Sequence, residues 1–243
     1  MPILRVIGPG RAGTAMSRAL EAAGWTIAAP LGRGDDVRAA AELVDLVVIA
    51  TPDAVVAEVA SAIEPDDSTV IAHLAGSLGL DALAPHRRRA SVHPLVSIPT
   101  SGADLRGAWF AVAGDRIAER VVADLGGRAV TVEEPDRAAY HAAACIASNH
   151  VVALLGQVER IGATVGVPLD AFLDLARQSL DNVAALGPRD ALTGPVRRGD
   201  RRTVERHRAA IERDELPAYD AMVELAEMLV HAGASNGEIV ESR

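Results

Sequence analysis

The chain has 243 residues, 49% apolar and 23% charged, enough for one large or two small domains with a substantial core. Arginine supplies all 24 of its basic side chains against 33 acidic ones, and the net charge of −9 argues against nucleic acid or an anionic membrane as partner. The lack of lysine excludes a lysine base, a Schiff base or a phosphate-loop lysine; the single Cys145 excludes an internal disulfide, and no cysteine cluster is available to a metal.

Ile3 to Ile7 is a short apolar run that predicts a strand. Gly8-Pro9-Gly10-Arg11-Ala12-Gly13 follows directly, and a helical pattern of Met16, Leu20 and Ala23 begins after it. This is a GxGxxG between a strand and a helix, the context in which the motif predicts dinucleotide binding. Gly8 would allow the tight turn, Gly10 the approach of a pyrophosphate, and Gly13 close packing of helix on strand. The free N–H groups and dipole of the helix start favour an anion there. Met1 leads straight into the first strand, so no signal peptide is expected. No apolar stretch approaches the roughly 20 residues of a spanning helix. The expectation is a cytoplasmic protein with no membrane partner.

Further strands are predicted at 25–29, 45–50, 68–73, 89–93, 108–113 and 128–132, with helices at 11–23, 36–43, 53–63 and 115–125. Strands alternating with helices predict a doubly wound, mostly parallel α/β sheet. The pattern changes at Glu133-Glu134-Pro135-Asp136. Beyond it one long helix is predicted over 136–165, then helices at 169–186, 203–213 and 217–232, a loop from Pro188 to Arg202, and a fraying tail from Gly233 to Arg243. Two domains result: a dinucleotide-binding α/β domain over 1–133, and an all-helical substrate and dimerisation domain over 134–243.

The second strand bears on the choice of cofactor. A carboxylate at its end would bond a ribose 2′-hydroxyl. This chain instead places Arg33 there, whose planar fork suits a 2′-phosphate, so NADP is favoured. The alternative is a solvated Arg33, with Asp35 or Asp36 reaching the ribose. Thr51-Pro52-Asp53 follows the third strand, where it would line the cofactor groove or simply cap a helix. His73-Leu74-Ala75-Gly76-Ser77 ends the fourth strand, and His93-Pro94 ends the fifth. Both histidines lie on the expected ligand edge, in direct contact with ligand or in structural hydrogen bonds.

In the stretch Tyr140 to His150, residues His141, Cys145 and Asn149 stand four apart and Ser148 seven from His141. That spacing aligns them on one helix face. The stripe could line a cleft at the nicotinamide, or be satisfied by neighbouring helices or a dimer partner. Thr193 and Arg198 lie in a glycine- and proline-rich loop whose arginines could grip a carboxylate or phosphate, or be solvated.

Taken together, His93-Pro94, Tyr140 to Asn149, and the Leu192-Thr193-Gly194-Pro195 to Arg198-Gly199-Asp200 loop resemble the two-domain family of a Rossmann-like domain followed by a domain of unknown function. More distantly the chain resembles ketopantoate reductases, pyrroline-5-carboxylate reductases and 3-hydroxyacid dehydrogenases. That resemblance implies an NADP(H)-dependent oxidoreductase reducing a small carbonyl or imine acid, with a ketopantoate-like 2-oxo acid first, and a homodimer formed through the helical domain. In ketopantoate reductases the helix opening the second domain carries a catalytic lysine and asparagines four and eight residues later. Laid on this chain these fall on His141, Cys145 and Asn149, so only the second asparagine is kept. Pyrroline-5-carboxylate reductases lack the lysine too. The implied roles are His141 as proton donor, Asn149 with Ser148 on the substrate oxygen, and His93, Thr193 and Arg198 around the substrate. The alternatives are a non-catalytic NADP(H)-binding regulatory protein and an oxidoreductase using a deazaflavin.

Overall fold

The computed structural model describes residues 1–231, so the expected fraying of Gly233 to Arg243 lies outside the described residues. Seven strands form one sheet in the order β2-β1-β3-β4-β5-β6-β7. They are β1 (Ile3–Ile7), β2 (Thr26–Ile27), β3 (Leu46–Ile49), β4 (Val70–His73), β5 (Arg89–Pro94), β6 (Trp109–Gly114) and β7 (Arg128–Thr131). The first five run parallel, β6 turns back antiparallel to β5, and β7 is parallel to β6. Helices α1 (Arg11–Ala22), α2 (Val56–Ala62) and α3 (Ile117–Asp124) flank the sheet. The doubly wound α/β expectation holds, with every predicted strand in place.

Side-chain alternation explains why both faces are covered. Leu4, Val6, Leu46 and Val48 join Met16 and Leu20 of α1 and Val121 and Val122 of α3 in one core. Ile7, Val47, Ile49 and Ile71 point the other way, into a core with Val56 and Ala60 of α2. All four residues of β3 are buried, as in a central parallel strand with two covered faces.

The helix expected at 36–43 does not form; residues 38–43 are a run of turns. Leu43 adopts a left-handed φ of 58°, which a continuing right-handed helix excludes. Ala40, Ala41 and Val44 still fill the second core, so the apolar pattern there reported burial rather than helix.

After β7 the chain is helical. The single helix expected over 136–165 is instead α4 (Arg137–Cys145), a π turn (Ile146–His150) and α5 (Val151–Thr164). A π turn inserts an extra residue and resets the register. The straight four-residue stripe from His141 therefore does not run unbroken to Asn149. Glu134–Thr164 is 31 residues of helix with a window of mean hydropathy 1.3, long and apolar enough to cross a membrane by length and composition. That corrects the expectation that no stretch comes near this.

The chain divides into two compact units, Met1–Ser148 and Asn149–Arg243. The first includes α4, because α4 contacts the end of β5. The second holds α5, α6 (Leu169–Ala191, kinked at Gly187), α7 (Gly194–Arg197), α8 (Arg201–Ala210) and α9 (Leu216–His231). The segment read as a loop over 188–202 thus contains the end of α6 and the whole of α7. Gln157 donates to the Glu215 carbonyl at 2.8 Å, and Arg160 pairs with the Glu215 carboxylate. Among the described residues of this unit only Gln157 and Gly162 are buried, while Leu175, Leu180, Leu186 and Met228 lie exposed.

Candidate functional site

The turn from β1 into α1 gives each glycine of the motif a distinct reason to be glycine. Gly8 has φ +88°, and a Cβ there would sit 3.0 Å from the Ala50 carbonyl. A Cβ on Gly13 would lie 2.5 Å from the Gly8 carbonyl oxygen, so glycine alone lets α1 pack this close. Gly10 faces open space, with nothing within 4 Å of an added Cβ. It is the residue past which a ligand backbone can approach. No side chain caps α1 and no acidic residue sits in its first turn. Pro9, Arg11 and Ala12 complete this turn, with Arg11 held by the Pro99 carbonyl at 3.2 Å. The residues present fit a dinucleotide pyrophosphate.

Beside it, Leu31 bridges Ile7 and extends the short β2 edge. Arg33, just beyond, is exposed and makes no hydrogen bond or ion pair with the described residues. The two carboxylates that could replace it are engaged elsewhere. Asp35 accepts from the Gly32 N–H at 2.7 Å, and Asp36 pairs with Arg38 at 2.6 Å.

A second cluster lies at the carboxyl ends of β4 and β5. His73 is fully buried and donates from Nε2 to the Gly79 carbonyl at 3.2 Å. His93 Nδ1 and the Tyr140 hydroxyl are 2.6 Å apart, tying β5 to α4. The rings of His93 and His141 meet edge-on with centroids 6.0 Å apart. Gly76 is wedged between them: a Cβ there would lie 2.6 Å from His141 Nδ1 and 2.9 Å from His93 Cε1. His141 Nε2 is 3.6 Å from Cys145 Sγ. Asp53 does not cap its helix; it accepts from the Ser77 hydroxyl at 2.6 Å. Glu134 reaches back to the Leu80 N–H at 2.6 Å.

The electrostatics follow from burial. Desolvation, with the nearby His141 and Arg137, holds His93 down to about 4, and desolvation also lowers His73. Both imidazoles are neutral at neutral pH. Burial pushes the Tyr140 phenol up to about 12, so it keeps its proton.

The cluster is short of partners. Among the described residues, five of the eight buried side-chain nitrogen and oxygen atoms without a hydrogen bond belong here, His73 Nδ1, His141 Nδ1 and the whole Arg137 guanidinium, and a sixth, Thr51 Oγ1, lies past the end of β3 beside the glycine turn. Such atoms are rare in folded proteins, and their concentration at one sheet edge makes this the candidate site.

The structure thus brings together Gly76, His73, His93 and His141 as the sequence suggested. Arg137, Tyr140 and Glu134 were missed. The signal was present: Arg137, Tyr140, His141 and Cys145 follow the i, i+3, i+4, i+8 spacing of one helix face, and the polar stripe starts one turn earlier than it was read. The Ser148 hydroxyl donates to the Ala144 carbonyl at 2.7 Å. Asn149, Thr193 and Arg198 belong to the second unit, where Thr193 precedes α7 and Arg198 follows it.

Sheet order, glycine turn and flanking helices define a Rossmann-like α/β fold followed by a helical region. Over residues 110–226 the chain matches the model of a family described as a domain of unknown function, DUF2520. No curated protein matches the sequence. Among solved structures it is similar to Bacteroides fragilis BF3122, described as a candidate NADP oxidoreductase, with TM-score 0.74, 18% identity, and 95% and 98% of the two chains covered. It is similar to protein TM1727 from Thermotoga maritima, with TM-score 0.72, 24% identity, and 95% and 99% covered. It is also similar to the NADP-bound pyrroline carboxylate reductase of Plasmodium falciparum, with TM-score 0.62, 15% identity, and 94% and 98% covered. At these identities the likeness concerns the fold.

Proposed function

We propose that the protein is an NADP(H)-dependent reductase of a small carbonyl or imine acid. The observation that carries this reading is the set of unpartnered polar atoms around Gly76, at the carboxyl ends of β4 and β5, on the same sheet edge as the glycine turn. In open α/β sheets ligands bind at that edge. Similarity to pyrroline carboxylate reductase and to an NADPH-bound reductive aminase supports a C=O or C=N substrate. A ketopantoate-like 2-oxo acid and a cyclic imino acid are the first to try.

In this reading the α1 N-terminus and the Gly10 backbone receive the pyrophosphate, and Arg33 pairs with the 2′-phosphate. Thr51, Pro52 and Asp53 line the groove between. NADPH, when bound, supplies the hydride. His141 gives a proton to the substrate heteroatom, and His93, held by Tyr140, orients the reacting group. The roles expected of Asn149 with Ser148 on the substrate oxygen, and of Thr193 and Arg198 around the substrate, belong to the same reading and rest on the sequence resemblance.

A homodimer through the helical second unit belongs to the same reading. Leu175, Leu180 and Leu186 of α6 and Met228 of α9 are exposed, and few of the unit's described residues are buried. Light scattering should give about twice the 25.3 kDa of one chain.

The deciding experiment titrates the protein with NADPH and NADH, then screens 2-oxo and cyclic imino acids for NADPH oxidation. Tight NADPH binding with turnover of one class supports the proposal. Binding without turnover favours a regulatory NADP(H)-binding protein. No binding of either nucleotide overturns both.

A further inference from the structure

Arg137 opens α4 and is only 2% exposed, yet its Nε and both Nη atoms lack any hydrogen-bond acceptor. A buried guanidinium with no hydrogen-bond acceptor among the described residues is costly to keep, and Glu134 acts on it only through space, so its N–H groups are open to a partner supplied from elsewhere. The carboxylates nearby are committed: Glu134 to the Leu80 N–H, and Asp53 to the Ser77 hydroxyl. Its neighbours one turn on are Tyr140 and His141, and His73 and His93 lie within its electrostatic reach. Both of these are held neutral, so neither imidazole adds to its charge, and the Asp53 and Glu134 carboxylates act on the cluster only through space, without a hydrogen bond to the guanidinium.

We propose that Arg137 is an anion anchor that binds the carboxylate of the substrate beside the His93–Tyr140–His141 cluster. The identity of the bound molecule rests on the reductase reading; the anion site does not. The planar fork matches a carboxylate bidentately. The cofactor's phosphates are not the natural occupants, because their cradle lies at the end of β1. The sheet order separates β1 from β5 by three strand spacings, roughly 14 Å. The anchor therefore selects a small acid whose reacting carbon sits next to its carboxylate, within reach of His141, over the neutral ketone or amide of the same shape.

The test uses the full chain, with and without NADP, and titrates it calorimetrically with oxamate and with its neutral counterpart oxamide. The NADP-loaded wild type should bind oxamate and not oxamide. Arg137→Met should keep NADP affinity and weaken oxamate by roughly 30-fold or more, the loss expected when one side of a buried charge pair is removed. Arg137→Lys, which keeps the charge and loses the fork, should fall between; it carries the test alone if the methionine variant does not fold. Without ligand, Arg137→Met should melt no lower than wild type, because it removes an unpaired buried charge. Oxamate bound equally by wild type and Arg137→Met, or not bound by the wild type at all, overturns the anchor. So does a lower melting point in Arg137→Met with oxamate affinity intact, which would make Arg137 a structural cation. Failure of NADP to bind overturns the reductase reading instead, and oxamate binding to the cofactor-free chain then decides the anion site alone.

Discussion

His93 and Tyr140 are joined across 47 residues by a 2.6 Å contact between Nδ1 and the phenol oxygen. This bond locks the last turn of the sheet edge to the first turns of α4. It fixes the ring of His93 against Gly76. Removing the hydroxyl in Tyr140→Phe leaves a half-buried imidazole nitrogen without its partner. The expected cost is about 1–2 kcal/mol, read from the urea unfolding midpoint. Under the reductase reading NADPH oxidation also falls, while NADPH affinity is unchanged.

Gly76→Ala tests the wedge between the histidines. The new Cβ would lie 2.6 Å from His141 Nδ1 and 3.0 Å from His93 Nε2, so both rings must move. Overpacking of this kind costs about 1–3 kcal/mol. Turnover should be lost with the phosphate cradle intact. An active variant of wild-type stability would show that the cluster is loose.

The glycine turn offers a paired test. Gly13→Ala places a Cβ 2.5 Å from a carbonyl oxygen and should destabilise the fold by about 1–3 kcal/mol. Gly10→Ala meets nothing within 4 Å and should melt within a degree or two of wild type. Under the reductase reading it should still weaken NADPH binding, since it fills the space proposed for the pyrophosphate. Unchanged NADPH affinity in Gly10→Ala would move the cofactor away from this turn.

Arg33→Ala should weaken NADPH binding by about tenfold or more and leave NADH binding nearly unchanged, since only NADPH carries the 2′-phosphate. Fluorescence titration with both nucleotides reads the ratio. Equal losses for the two would remove Arg33 from cofactor selection.

Stability should fall in mild acid. The unfolded chain protonates His93 near its usual 6.5, the folded chain not until about 4. Between those values the unfolded state binds more protons, so stability is full above about pH 6.5 and is lost as pH falls towards 4. The loss from this group is at most about 3 kcal/mol, and the lowered His73 adds in the same direction. Urea midpoints measured from pH 7.5 to 4.5 should slope downward in acid, and less steeply in His93→Gln. Parallel slopes would show that His93 does not control the transition.

Local rules made the first half legible. The GxGxxG, the continuous apolar run of Val47-Val48-Ile49 and the carboxyl-edge histidines act through turn geometry and two-sided burial, both written in adjacent residues. They were enough for the strand set, the doubly wound class and the position of His73, Gly76 and His93 at the carboxyl edge of the sheet. Residues 36–43 failed because apolar spacing reports burial, and a turn at Leu43 buries Ala40 and Ala41 as well as a helix would. The π turn at 146–150 carries no local signature, so the register after Cys145 was beyond the pattern. Only the tertiary structure decided that the Glu134 carboxylate bonds the Leu80 N–H and not the guanidinium of Arg137, which lies buried with no acceptor among the described residues. Charge balance depends on which groups the folded chain brings close and which it keeps from water, and that is a property of packing, not of sequence order.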